Sequence, residues 1–145
     1  MKSFAKIVAG SAAALVLVGQ PACAQHVTHA ADTLPAPKFD AKGIARTETV
    51  RSDFDATREA VQVRVDFASG ASFPKHSHPG VEIAYVLSGT IEYELNGKVV
   101  RLKAGESVYI PAGAVHSAKN VSGGVTSELA TYVVEKGKPI VILDK

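Results

Sequence analysis

The chain has 145 residues, 46% of them hydrophobic and 21% charged, with 16 Lys and Arg against 14 Asp and Glu for a formal net charge of +2. That length supports one domain with its own core and is too short for two ordinary ones. The near balance of charge gives no ground for nucleic acid as a partner.

At the N-terminus Lys2 and Lys6 precede the apolar run Ile7 to Val18, which ends at Gly19-Gln20-Pro21 and leads into Ala22-Cys23-Ala24. A charged start, a short apolar stretch and small residues before a cut predict a signal peptide over 1–24 and export, to the periplasm. The run is too short for an ordinary transmembrane helix, so no stable membrane span is expected after cleavage. An uncleaved anchor is disfavoured by Gly19 and Pro21. Lipidation at Cys23 is disfavoured because Gln20-Pro21-Ala22 matches a lipobox poorly. Cleavage after Ala24 removes the only cysteine, and with it any disulfide or thiolate metal site. It also removes Lys2 and Lys6, which brings the formal charge to zero.

Residues 25–45 are rich in Ala, Pro, His and Asp without a sustained apolar period and read as an extended arm, in which His26 and His29 are expected to be solvated, with metal scavenging as the alternative. The domain proper is expected over 46–145. Val61 to Phe67 alternates apolar and polar residues, the pattern of a strand with one buried face. Val81 to Leu87 and Thr90 to Leu95 follow, then Asn96-Gly97 and Lys98 to Leu102. Asn-Gly between two such runs predicts a hairpin with a type I′ turn, which needs positive φ at both central residues. Further strands are expected at Ser107 to Ile110, Val115 to Lys119 and Val125 to Val134, between Gly- and Pro-containing turns. No segment shows a helical period, so the fold class is all-β, sandwich or barrel.

His76 and His78 lie two apart, so on extended backbone both imidazoles leave one face. Glu82 has the same parity, although Pro79-Gly80 intervenes, and His116 lies on a separate predicted strand. Three imidazoles and one carboxylate would hold a divalent ion and leave two of six positions open.

The spacing of these residues resembles that of the cupin superfamily. Gly70 is followed after five residues by His76, after one by His78, after three by Glu82 and after six by Gly89. A second set runs Gly105, five residues, Pro111, one, Gly113, two, His116, three, Asn120, and the stretch between the sets, Thr90 to Ala104, is 15 residues. The resemblance implies a double-stranded β-helix, or jelly-roll barrel, with His76, His78, Glu82 and His116 as metal ligands. The ion would be a divalent transition metal: Fe, Mn, Ni, Cu, Co or Zn. It also implies a homodimer. Gly89, Gly105 and Gly113 are assigned to turns, and Asn120 either to a contact with a ligand or to a turn.

If Val61, Val63, Val65 and Phe67 face inward, then Gln62, Arg64 and Asp66 face outward. Ala84 and Val86 share the parity of Glu82, Tyr85 faces away, Phe73 is placed at the mouth, and Tyr109 remains open between pocket and packing. The expected pocket is thus apolar, with few titrating groups beyond the ligands. That suits chemistry done by the metal better than the His/Tyr work of a sugar epimerase. Small cupins of this kind resemble the quercetin-dioxygenase-like group. The leading expectation is a metal-dependent dioxygenase for a small aromatic or enol-type molecule, with Glu82 as the candidate proton carrier. The alternatives are a binding or sensor module for a small anionic ligand and a barrel whose metal is structural.

Overall fold

The computed structural model describes residues 36–144; the predicted signal peptide, Cys23, His26, His29 and most of the predicted arm lie outside them. Ten strands are present: β1 (Ile44–Asp53), β2 (Arg58–Phe67), β3 (Ser72–Ser77), β4 (Gly80–Ser88), β5 (Thr90–Leu95), β6 (Lys98–Lys103), β7 (Ser107–Ile110), β8 (His116–Asn120), β9 (Thr126–Glu135) and β10 (Ile142–Leu143). They form two five-stranded antiparallel sheets, ordered β1-β2-β9-β4-β7 and β10-β3-β8-β5-β6.

The core lies where the inward faces meet. Val61, Val63, Val65 and Phe67 of β2 alternate inward as expected, joined by Ala84 and Val86 of β4 and by Ile91 and Tyr93 of β5. Strand β9 contributes Ala130 and Val134 through the same period of two. The β5–β6 hairpin turns at Asn96 and Gly97 with φ of 51° and 75°, as its sequence requires. Gly89, Gly105 and Gly113 also take positive φ. Gly89 is held to glycine twice over, because a Cβ there would lie 2.2 Å from Thr126 Oγ1.

Asn120 is a turn organiser and hydrogen-bonds to none of the four predicted metal ligands. Its Nδ2 donates to the carbonyls of Phe67, Ala68 and Gly124, and its Oδ1 accepts from Ser122 N and Thr126 Oγ1. One side chain thereby joins the end of β2 to the β8–β9 turn.

Three strands have no counterpart in the expected set. In β1 the charged residues Arg46, Glu48, Arg51 and Asp53 dilute the apolar signal of an edge strand. Strand β3 carries Pro74 and a register shift between Phe73 and His76, and β10 is only two residues long. Asp66 has the outward parity expected of it, yet solvent does not reach it. It is off the core-facing side but fully buried, accepting hydrogen bonds from Arg64 at 2.9 Å and from Ser127.

Candidate metal centre

Strands β3, β4 and β8 bring the four spaced residues to one point. His76 pairs with His116 across β3 and β8, which sets their ring centroids 4.1 Å apart. His78 follows β3 directly. Glu82 enters from the other sheet, where it sits between Ile110 of β7 and Tyr132 of β9. All four are buried, and their donor atoms lie within 4.8 Å of one another, comparable to the span of two metal–ligand bonds of about 2.0–2.2 Å.

Backbone carbonyls fix the imidazoles. Nδ1 of His76 lies 2.8 Å from Pro74 O, that of His78 2.5 Å from Ile140 O, and that of His116 3.0 Å from Ala114 O. A carbonyl only accepts, so each Nδ1 carries the proton and each Nε2 presents a lone pair. His78 Nε2 stands 2.8 Å from Glu82 Oε2, and His116 Nε2 stands 3.4 Å from the same oxygen. With the proton on Nδ1 these are acceptors facing acceptors, and His78 Nε2 and Glu82 Oε2 are buried with no hydrogen-bond partner. Buried polar atoms left this way are costly, and a cation between them removes the cost. The donor set therefore fits a divalent transition metal, with second contacts that orient every imidazole.

Burial and the neighbouring His116 lower His76 to about 4. At neutral pH His76 is thus a neutral imidazole, the form a metal takes.

Beside this corner lies a small, partly open cavity. His76, Glu82 and His116 line it together with Phe73, as expected. The expectation of few further titrating groups is overturned, because Arg46, Tyr93, Glu128 and Tyr132 line it too. Tyr132 stands opposite Glu82 in register, and Tyr93 reaches from β5 across the core to donate its hydroxyl proton to Glu128 Oε2. Burial raises both phenols further above their ordinary value, with neighbouring carboxylate charge adding to it. Tyr109 is outside the pocket, 57% exposed, and Tyr85 faces away from the core as expected. The missed signal was in β9, where Thr126, Glu128, Ala130, Tyr132 and Val134 alternate onto one buried face. Arg46 was missed with its strand.

Residues 63–134 match the cupin domain family. A germin-like protein, subfamily 2 member 2, from Arabidopsis thaliana is 35% identical over 75 residues, 48% of this chain and 34% of the relative. The chain thus spans about a third of that relative's length. Among solved structures, the cupin domain of Schizosaccharomyces pombe Cnp3 superposes with a TM-score of 0.60 at 19% identity, covering 70% of this chain and 72% of that one. A structure of oxalate oxidase gives 0.57 at 24%, covering 72% and 56%. The chain belongs to the cupin superfamily, and its paired sheets are the family's double-stranded β-helix. Among the described residues no helix is long and apolar enough to cross a membrane.

Proposed function

We propose that this chain is an exported metal-dependent oxidoreductase, of the dioxygenase kind, for a small aromatic or enol-type molecule. In this reading residues 1–24 are a signal peptide, 25–45 an arm and 46–145 the cupin domain. His76, His78, Glu82 and His116 hold one divalent transition ion. The observation that carries the reading is the convergence of buried acceptors whose imidazoles are already fixed in the metal-binding tautomer. A bound ion would supply a Lewis acid and, if redox-active, a path for single electrons.

The remaining lining says what the chain itself contributes. Phe73 offers an aromatic face at the mouth, Val65 and Phe67 exclude water, and Tyr132 presents its ring 4.9 Å from that of His78. Glu82 is a candidate proton carrier whenever its oxygen is not engaged by the ion. The small cavity favours compact substrates over fused-ring ones. Homodimerisation is part of the proposal. Ile83, Tyr85, Leu87 and Tyr109, all more than 40% exposed, put an apolar surface on β4 and edge strand β7.

The test is metal analysis of the purified chain and of a His76→Ala, His116→Ala variant, followed by oxygen uptake with catechols, β-diketones and flavonols. About one redox-active ion per chain, lost in the variant, together with oxygen uptake on at least one substrate, is the expected result. No uptake with Fe, Mn, Ni or Cu would overturn the oxidoreductase reading. A second reading, a module that binds a small anion without turnover, is favoured by Arg46. This cation lines the cavity and forms no salt bridge among the described residues.

A further inference from the structure

Glu128 is the one buried acid in the cavity that the ligand corner does not use. It sits mid-β9, 4% exposed, with Val65 of β2 and Val86 of β4 as its cross-strand neighbours. Its hydrogen bond from Tyr93 is the contact that orients it. A carboxyl in such surroundings is costly, and an aliphatic side chain would fill the place with less penalty.

Arg46 lies in the same cross-strand row: it pairs with Val65, which pairs with Glu128. The two residues are therefore two strand spacings apart, roughly 10 Å between backbones, and both line the cavity. The Arg46 guanidinium lies 4.4 Å from the centroid of the Phe73 ring, and that ring meets His76 edge-on at 4.6 Å. A row with a cation at one end and an acid two strands away accommodates a molecule of a few heavy atoms that is anionic at one end. The cavity lining includes no Ser, Thr, Cys or Lys, so it offers no aliphatic hydroxyl, thiol or amine nucleophile. What these side chains can do is hold oxygens and move a proton.

We propose that Glu128, oriented by Tyr93, transfers a proton to and from the carbon next to the keto group of a small 2-oxo acid whose carboxylate faces Arg46. The C–H bond breaks and its electron pair forms the enolate C=C. The carbonyl π pair moves to oxygen, the proton passes to the Glu128 carboxylate, and the reverse step returns a proton. Burial, with the Glu82 charge adding to it and the Tyr93 hydrogen bond opposing, pushes Glu128 up to about 8, close to the pH at which one group serves as acid and base. The inference deepens the proposed function, since enolisation readies such a molecule for oxidation, but the step itself needs no oxidant.

The test is deuterium incorporation into pyruvate in D₂O without oxygen, using the purified chain loaded with Zn²⁺ and read by mass spectrometry. The wild type is expected to exceed free Zn²⁺. Glu128→Gln is expected to lose at least about a hundredfold, within the range general acid–base groups contribute, and Glu128→Asp to recover part of it. Both variants should keep the wild-type zinc content and the wild-type thermal stabilisation by pyruvate, whereas Arg46→Gln should lose that stabilisation. Exchange at the wild-type rate in Glu128→Gln overturns the proposal, as does a wild type no faster than free Zn²⁺. If the chain takes up no metal, the proposed function fails on that count. Glu128 is then judged on the metal-free chain, where Glu128-dependent exchange supports the inference and its absence overturns it.

Discussion

The two ends of the cavity are held in different ways. In the ligand corner each imidazole is fixed through a backbone carbonyl, that of Pro74 within β3 for His76 and those of Ile140 and Ala114, just before β10 and β8, for His78 and His116. At Glu128 the anchor is a single side-chain contact from Tyr93, among aliphatic neighbours. The first arrangement suits a group that must stay still and bind, because reorientation would cost backbone hydrogen bonds. The second suits a group that must change charge, since one phenol can serve either protonation state.

The largest effect expected from breaking this contrast is at the ligand corner. His116→Ala should lower metal affinity by more than about a hundredfold, beyond what loss of an orienting contact usually costs, as read by competition with a chelator. Retention of wild-type affinity would show that the ion, if any, sits elsewhere.

The two ends should also answer pH in opposite senses. Glu128 holds its proton more tightly folded, at about 8, than its ordinary 4.5. Its contribution to stability is therefore fully present below about pH 4.5 and is lost as pH rises toward 8. Glu128→Gln does not titrate, so wild type should lose ground to it across that window, at up to about 1.4 kcal/mol per pH unit. His76 is lowered from 6.5 to about 4. Metal-free protein should thus weaken as pH falls from about 6.5 toward 4. Urea midpoints of wild type and variant from pH 4 to 9 check both; parallel curves would remove the contrast.

A smaller effect, away from both ends, is expected at Asn120. Asn120→Ala removes five hydrogen bonds and should cost about 2–4 kcal/mol, given about 1 kcal/mol for each and partial repair by water. Metal content should stay unchanged in the folded fraction. A matching loss of metal would tie the turn to the ligand corner.

How much of this was legible in the sequence follows the same division. His76, His78 and Glu82 announce themselves through close spacing and the β5–β6 hairpin through Asn96-Gly97, because both are local, and His116 is found through a second short pattern of its own, Gly105 to Asn120. Glu128 carries no motif. Its place depends on β9 being aligned with β2 and β4, a relation between segments about 40 to 60 residues apart in sequence that single-strand parity does not supply. Arg46 was hidden for another reason: β1 is an edge strand whose polar residues conceal its period. Asp66 shows that parity gives a face and not its solvation, since Ser127 and Arg64 seal a side chain that points away from the core.

The contact between His78 and Ile140 has a kinetic consequence. Ile140 leads into β10, which is held to β3 by the pairs Ile142–Ser77 and Leu143–His76 and leaves both of its residues about half exposed. A two-residue strand of this kind opens far more often than a sheet unfolds. Each opening loosens the carbonyl that fixes the His78 tautomer, and Val141, which lines the cavity, moves with it. The residence time of an ion, and the speed with which one metal replaces another, would then follow the fraying of this short segment and not the global stability of the barrel.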